Sequence, residues 1–558
     1  MPTEQQCLRR VWIPTVLERV AVFLPANEVA YTLRLVDKAT AEQFRRPEFC
    51  IVRLSQPVPP HAFAWRWGRP GATRELTLAK RRQLLSLTAA SGSVANLRIA
   101  LSGAGCEPNK EVAYAAGKGG HLDVCLLLEE HGCSLGDAVE GAAAGGHLGV
   151  CQALLARPDV AGNNFDCAQA AAKHGHMAVF DFIMQRSGPQ PPRSDPLWSH
   201  LEAVAKGCDL ATLKRCMDEW QLNPSEWDDR DTRDEDLDGM NLRRILARAA
   251  GSPTPDWKAK VELLESCGYP PTLEAFQCAA VQPDVMERFR WLREREYPRE
   301  PLEMDMDGED PYATEAAAAS GVEDAILFLA PDKAEQDSDF SLDAEAAAWR
   351  GHLHVLKALH SSGYEFEVQI PIHAAARSGH LHVVAWLVEE LGAPLDEELF
   401  AAAAESGSVE LLTWLRERGC PWGESVFTAA AKSGCIAAAE WLAERGCPME
   451  ATGTHFLRAA EASDFAMLEC LRRLGCPWGP PNKLFGDCLS AYTYRIPALA
   501  WLVEAGCPVD WAAALELAEA RAADRGIFGD RGWRNPQQQR SDEALAAWVR
   551  GQADKRRQ

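Results

Sequence analysis

Two short acidic runs have the carboxylate spacing with which a calcium-binding loop begins. Carboxylates stand at alternate positions ahead of a glycine in residues 234–239 and again in residues 303–308. A complete loop supplies a bidentate glutamate from its twelfth position. That position holds Ile245 in the first run and Thr314 in the second, so we predict acidic surface loops and no calcium site.

Two histidine pairs are the other candidates for metal ligands. His352 stands two residues before His354, and His380 stands two residues before His382. Residues two apart on a helix point to different faces, whereas zinc-binding pairs on a helix are four apart. We expect one histidine of each pair to be satisfied between helices and the other to be exposed, with no metal bound.

The cysteines are numerous and follow a pattern. The chain has 18, and four of them recur at matching places as Cys420, Cys447, Cys476 and Cys507. The sequence contains no Cys-x-x-Cys pair, and equivalent helices of a stack lie about 8–10 Å apart, farther than a disulfide reaches. Reduced thiols are therefore expected, which favours a cytoplasmic or nuclear location.

No arrangement of catalytic residues is recognisable in the sequence. A glycine-rich phosphate loop, a G-x-S-x-G elbow and an H-E-x-x-H motif are all missing. We therefore expect no catalytic residue, no cofactor and no enzymatic activity.

The net charge of the chain indicates which classes of partner are favoured. The 58 lysines and arginines are outnumbered by 80 aspartates and glutamates, which gives a net charge of −22. This charge repels nucleic acid and anionic membranes, and no apolar run is long enough to span a bilayer. We expect a protein partner with a basic surface, bound less tightly as the salt concentration rises.

The chain is organised by a short repeat. A glycine or its substitute precedes the second of two apolar stretches, and steps such as 351 to 379 and 379 to 407 are 28 residues long. Such a length holds two short helices and a turn but no independent core, so each repeat must pack on its neighbours. The fourteen anchors are Gly92, Gly120, Gly146, Gly175, Cys208, Asp256, Asp284, Gly321, Gly351, Gly379, Gly407, Gly434, Ser463 and Tyr494.

Each repeat pairs a helix of small residues with a bulkier one. The stretch 427–432 is rich in alanine, which lets the first helix approach the next repeat closely. In the stretch 411–415, apolar residues recur at the spacing of one helical stripe. Glycines between the two helices suit a positive-φ turn, and Gly-Cys-Pro ends the second helix.

The stretch from Ile370 to Leu381 resembles the ankyrin-repeat signature. It reads Ile-Pro-Ile-His-Ala-Ala-Ala-Arg-Ser-Gly-His-Leu, and Gly-His-Leu returns at residues 120–122, 146–148 and 351–353. The resemblance extends over about residues 84 to 510, with repeats shorter than the usual 33 residues. It implies an all-α, ankyrin-like α-solenoid of about fourteen helix-turn-helix units, acting as a monomer that binds other proteins.

The N-terminal residues do not repeat and resemble an F-box. The likeness lies in the order of apolar residues and prolines in residues 12–44, and its candidate contact residues are Ile13, Pro14, Leu17, Leu24 and Leu35. An F-box binds Skp1, the adaptor of cullin ubiquitin ligases, so the resemblance implies a substrate-recruiting subunit. The alternative is a scaffold without a ubiquitin role, in which this segment only caps the first repeat.

Two tryptophans in connecting loops are further candidates for partner contacts. Trp422 and Trp478 each follow Gly-Cys-Pro, outside the helical stripe. An exposed aromatic side chain there suits a binding hot spot, and packing over the helix ends is the alternative.

Breaks in the pattern suggest the domain limits. We expect an F-box-like or capping segment at 1–75, a first half of the array at 76–330, a second half at 331–520 and a polar tail at 521–558. The first half contains acidic insertions at 226–238 and 300–310 and a proline-rich loop at 188–196. The tail is expected to be partly disordered, apart from a helix at 541–549.

Overall fold

The computed structural model describes residues 13–158, 160, 163–188, 195–226, 235–298, 313–329, 340–490, 496–523 and 536–557. Within these ranges the regular structure is helical throughout, and no strand is formed, which confirms the predicted all-α class. The N-terminal segment contributes the helices Pro14–Ala21, Ala26–Tyr31, Lys38–Gln43, Pro47–Cys50 and Pro60–Trp67, with a short 3₁₀ turn at Leu33–Leu35.

Fourteen helix pairs follow, numbered here as repeats 1 to 14, so the predicted ankyrin-like α-solenoid of about fourteen units is confirmed. Their bounds are Leu78–Ala90 with Val94–Ala104, Lys110–Lys118 with Leu122–Glu130, Leu135–Ala144 with Leu148–Leu155, Asn164–Lys173 with Met177–Ser187, Asp195–Gly207 with Leu210–Trp220, Glu235–Ala250 with Trp257–Ser266, Glu274–Ala280 with Val285–Glu294, Ala313–Ser320 with Glu323–Leu329, Ser341–Arg350 with Leu353–Ser361, Gln369–Ser378 with Leu381–Glu389, Glu397–Ser406 with Val409–Glu417, Glu424–Ser433 with Ile436–Glu444, Thr454–Glu461 with Phe465–Arg473, and Lys483–Ser490 with Ile496–Glu504.

The turn inside a repeat has the geometry that its glycine predicts. Gly379, Gly407 and Gly434 have φ values of +77°, +68° and +74°, in the left-handed region that glycine adopts without a Cβ clash. At Gly434 an added Cβ would also lie 2.7 Å from the Cβ of Leu78. The glycine therefore serves both the turn and close packing.

As the sequence predicts, the first helix of a repeat packs through alanines and the second helix through bulkier apolar residues. In repeat 12, the first helix buries Ala430 and Ala431 on the neighbouring repeats, and the second helix buries Trp441 and Leu442. Small side chains let successive first helices lie against one another, while the bulky stripe fills the space between the two helix layers.

The residues form two compact units. The first contains residues 1–72, 82–103 and 108–371, and the second contains residues 73–81, 104–107 and 372–558. In the first unit, the first helices of repeats 2 to 9 pack in succession, and in the second unit those of repeats 11 to 14 do the same. The limits expected from the sequence, at residues 75, 330 and 520, remain predictions.

The C-terminal residues contain more helix than the sequence indicates. Trp511–Ala523 packs against a final helix, Pro536–Arg557, which is longer than the stretch expected at 541–549. Arg521 Nε lies 2.8 Å from Asp542 Oδ1 in a largely buried ion pair between the two helices. This final helix buries Leu545 and Val549, and the expected polar, partly disordered tail at 521–558 remains a prediction.

Two of the expected insertions are shorter than the sequence suggests. Glu235–Ala250 is helical, so the acidic stretch 226–238 already enters a helix at its end. Acidic residues are favourable at a helix N-terminus because they interact with the helix dipole. Likewise the proline-rich stretch 188–196 ends in the helix that begins at Asp195, and the stretch 300–310 lies outside the described residues.

Candidate protein-binding surfaces

The N-terminal segment has a small hydrophobic core of its own. Leu17, Val29 and Phe44 are buried in it together with Ala21 and Leu33. Leu24 packs against this cluster from the outside, with Phe49. Of the five residues predicted to contact Skp1, Leu17 therefore lies in the core and Leu24 at its edge.

The same segment exposes several large apolar side chains. Val22, Phe23, Leu35, Val36 and Ile51 are between 54% and 85% exposed. Large apolar side chains left in water together in so small a segment are typical of a binding surface. Leu35 was predicted from the sequence as a contact residue, whereas Val22 and Phe23 were not, although their position beside Leu24 was the available signal.

Two other predicted contact residues lie at the start of the first helix. Ile13 is the N-cap residue and is 44% exposed. Pro14 occupies the first helical position, where the lack of an N–H costs nothing, and it is also exposed. With Leu35, three of the five predicted contact residues are thus accessible to a partner.

The buried side chain of Asn27 holds the backbone of Arg53 in place through two hydrogen bonds. Asn27 Nδ2 donates to the carbonyl oxygen of Arg53 at 2.8 Å, and the Arg53 N–H donates to Asn27 Oδ1 at 2.9 Å. Further on, Asn96 Nδ2 in repeat 1 donates to the Val58 carbonyl at 2.8 Å, and Phe63 is buried. Residues 58–67 therefore cover repeat 1, a task that a capping segment has to perform.

Trp422 is half-buried among aromatic and cationic side chains. Its ring meets Phe400 edge to face with centroids 5.5 Å apart, and Trp441 with centroids 6.3 Å apart. The guanidinium of Arg416 lies 3.9 Å from the ring centroid, a cation–π contact. The loop tryptophan thus packs over the helix ends, and a role in binding a partner remains a prediction.

Trp478 is half-buried in the equivalent position two repeats later. It stacks on Phe456 with centroids 4.0 Å apart and an interplanar angle of 19°. Trp501 lies 6.5 Å away on the second helix of repeat 14. As with Trp422, these ring contacts account for the half-burial of the side chain, and partner binding is left as a prediction.

The first helices of repeats 3 and 4 carry a group of carboxylates that was not predicted from the sequence. Glu140 is half-buried; burial raises its pKa, and so do the charges of Asp166 and Asp137, against the opposing charge of Lys110. Burial and Glu140 together raise the pKa of Tyr114. We call Asp137, Glu140 and Asp166 the acidic group. Asp137 and Glu140 lie on the first helix of repeat 3 and Asp166 on that of repeat 4, so the stacking of repeats brings Asp166 to the other two.

The landmark histidines connect adjacent repeats. His147 Nε2 lies 3.0 Å from the Lys118 carbonyl oxygen, and His352 Nε2 lies 3.2 Å from that of Ala319. The neighbouring His354 bonds to the Gly321 carbonyl at 2.8 Å from an exposed position. These imidazoles are thus occupied by backbone carbonyls at the ends of first helices.

The two acidic runs with the spacing of a calcium loop form no metal site in the described part of the chain. Asp236 and Asp238 belong to the helix Glu235–Ala250, while Asp234 and residues 303–308 lie outside the described residues. Across the described ranges, no three histidine, cysteine, aspartate or glutamate side chains are grouped as a metal would require.

The four cysteines of the repeat pattern are buried free thiols. Burial raises the pKa of Cys420, Cys447 and Cys476 to about 12 and that of Cys507 to about 11. Since the thiolate is the reactive form, these side chains behave as small apolar residues.

Comparison with known proteins agrees with this architecture in one region. Residues 344–449 match the family model of ankyrin repeats, in three copies. A search of curated proteins finds no match to the chain. In the described residues, no helix is long and apolar enough to cross a membrane.

The matched region covers repeats 9 to 12, and the helix pairs on either side of it have the same construction. An all-helical ankyrin-repeat fold typically serves as a non-catalytic scaffold, and ankyrin repeats bind other proteins. Over residues 344–449 the chain is similar to ankyrin-repeat proteins, and it is a protein–protein interaction module.

Proposed function

We propose that the protein is an adaptor that recruits a substrate to a Skp1-containing ubiquitin ligase. In this proposal the N-terminal segment, residues 13–51, docks on Skp1, and the array of repeats holds the protein to be modified. The intracellular, reducing location expected from the cysteines is consistent with this role.

The observation that carries the proposal is the exposed apolar set of the N-terminal segment. A segment serving only as a cap would bury its large apolar residues against the first repeat. Here residues 58–67 cover repeat 1, while Phe23 and Leu35 remain largely in solvent. Exposure of this kind is explained by a partner that covers these side chains.

The acidic group supports a basic partner for the array. Burial raises the pKa of Asp137 and of Glu140, and the charges of Asp166 and Asp137 raise that of Glu140 further, so a cation beside these carboxylates would stabilise their charged forms. A lysine or arginine of the partner placed beside Asp137 and Glu140 would supply that charge. This is also the contact expected from a chain with a net charge of −22.

The experiment is a pull-down of purified Skp1 by the full chain and its variants. Leu35→Asp and Phe23→Asp place a charge on exposed positions and should each reduce the retained Skp1 at least tenfold, while the helical content of the chain is unchanged. Val281→Asp is the matched control, because Val281 is 67% exposed on repeat 7. It should retain Skp1 like the wild type.

The alternative is a scaffold without a ubiquitin role, favoured by the hydrogen bond from Asn96 of repeat 1 to the Val58 carbonyl, which attaches the N-terminal residues to the array. In that case the wild type retains no Skp1, and truncation before residue 58 leaves the binding of an array partner unchanged. This result would remove the ligase role and leave the interaction module.

A further inference from the structure

The first helices of four repeats end in cations along one edge of the array. Lys118 and Lys173 are the last residues of their helices in repeats 2 and 4, and Lys206 and Arg248 lie in the last turns in repeats 5 and 6. We call Lys118, Lys173, Lys206 and Arg248 the cationic edge. Its members are exposed or half-buried, in a chain whose net charge is −22.

Backbone contacts bring these helix ends side by side. A Cβ added to Gly207 would lie 2.3 Å from the Lys173 carbonyl oxygen, so the two helix ends touch. The Ser252 hydroxyl donates to the Lys206 carbonyl at 2.6 Å, which places the end of repeat 6 against the end of repeat 5. Lys173, Lys206 and Arg248 therefore belong to helix ends that contact one another.

Lys118 joins the row across repeat 3. Its Nζ lies 3.5 Å from Nε2 of His174, which belongs to repeat 4. The turn of repeat 3 between them is Gly145-Gly146, and the rings of His147 and His176 pack against these two glycines. The other ring nitrogen of His174, Nδ1, lies 3.0 Å from the Ala170 carbonyl and donates to it, so Nε2 accepts from the Lys118 ammonium.

The positive charges of the cationic edge are close together and only partly neutralised. Burial lowers the pKa of Lys206, and the charges of Lys173 and Arg248 lower it further. The nearby carboxylate of Glu202 lies 2.7 Å from Arg248 and 3.1 Å from Arg244, so one negative charge serves two guanidinium groups. The edge thus keeps an excess of positive charge.

Helix-end electrostatics do not account for this row. A cation near a helix C-terminus is favourable by itself. In repeats 10 to 12 of the second compact unit, however, the same position alternates in sign: Glu405 lies 3.9 Å from Arg377 and 3.1 Å from Lys432. In the alternating arrangement each cation lies beside Glu405, whereas Lys206 of the cationic edge is repelled by Lys173 and Arg248.

We propose that the cationic edge binds an acidic polypeptide segment in extended conformation. Four steps of about 9 Å between repeats span roughly 36 Å, which about eleven extended residues cover. A nucleic acid strand is disfavoured because the rest of this acidic chain repels a polyanion of high charge density. The proposal concerns a different surface from the Skp1 and acidic-group contacts and stands without them.

The test uses the full chain and a fluorescein-labelled 12-residue peptide of alternating glutamate and serine, with binding followed by fluorescence anisotropy at 50 mM salt. The double variant Lys118→Glu/Lys173→Glu should weaken binding at least tenfold. The matched control is Arg377→Glu/Lys432→Glu, which changes equally exposed cations at the same repeat position. Its affinity should stay within twofold of the wild type.

Three results would overturn the proposal. These are an acidic peptide that fails to bind the wild type, a control double variant that loses as much affinity as the test variant, and a single-stranded RNA of equal charge that binds more tightly than the peptide. Circular dichroism of each variant confirms that the helices persist, so loss of binding reports on the edge.

Discussion

At the scale of single residues, the structure shows which side chains replace the landmark histidine in two repeats that lack it. His147 bonds to a carbonyl at the end of the preceding first helix. Repeats 6 and 7 lack this histidine, and there the buried Lys260 bonds to the Ala205 carbonyl at 2.7 Å and Arg288 to that of Ala250 at 2.6 Å. A buried cation four residues after an aspartate thus replaces the imidazole.

Lys260 makes the stability of this region dependent on pH. Burial is the main cause that lowers its pKa from 10.5 to about 8. Between these values the unfolded lysine holds a proton that the folded one has released, so stability due to this group rises with pH. The free energy of unfolding of the wild type relative to Lys260→Met should therefore increase by up to about 2 kcal/mol from pH 7.5 to 9.5.

The measurement is urea unfolding of both proteins at the two pH values. Lys258→Met is the control on the same helix, since Lys258 is partly exposed and its Nζ lies 2.6 Å from Glu287 Oε1. Its difference from the wild type should be the same at both pH values. A Lys260→Met difference that is constant or falls as pH rises would refute the account of this lysine.

At the scale of helices, sequence periodicity predicted the features that depend on residues close together in the chain. The turn glycines and the division into small and bulky helices depend on residues a few positions apart, and they are confirmed. Arg81 is different: its side chain is fully buried and bonds to Asp464, 383 residues away, and to the Gly434 carbonyl at 2.8 Å. No periodic pattern contains that pairing, so the sequence alone could not reveal it.

The Arg81–Asp464 pair predicts a non-additive loss of stability within the second compact unit. Arg81→Met leaves the buried Asp464 carboxylate without its cation and should cost about 3–5 kcal/mol. Adding Asp464→Asn removes that charge and keeps an acceptor for the Met467 N–H, which Asp464 caps at 3.0 Å. The double variant should therefore recover most of the loss in urea unfolding.

The control for this cycle is Arg472→Met, because the Arg472–Glu469 pair is about half exposed on both sides. Such surface pairs contribute about 0–1 kcal/mol. Additive losses from Arg81→Met and Asp464→Asn would show that the two buried charges do not depend on each other.

At the scale of the whole molecule, the sequence gives the net charge but does not show where the charged residues lie on the surface. The net charge of −22 predicts a basic partner, yet the structure gathers Asp137, Glu140 and Asp166 on first helices and collects cations on the cationic edge. The candidate surfaces combine residues of several repeats. They could be located only once the stacking was known.

Binding of a basic peptide should fall with salt. A 12-residue peptide of alternating lysine and serine, titrated by fluorescence anisotropy, is expected to lose about tenfold in affinity between 50 and 300 mM salt because screening weakens charge attraction. Asp137→Asn/Glu140→Gln should weaken binding at low salt, whereas Glu219→Gln, which is exposed on a second helix, should not. Affinity independent of salt would contradict a basic partner.

The most direct test of the adaptor role is whether the N-terminal segment and the acidic group are occupied at the same time. Purified Skp1 is titrated by calorimetry into the full chain, first alone and then with the chain saturated by the lysine–serine peptide. An adaptor predicts one-to-one binding with the same affinity in both titrations, and its loss in Leu35→Asp. Absence of heat from Skp1, or displacement of the peptide by Skp1, would contradict it.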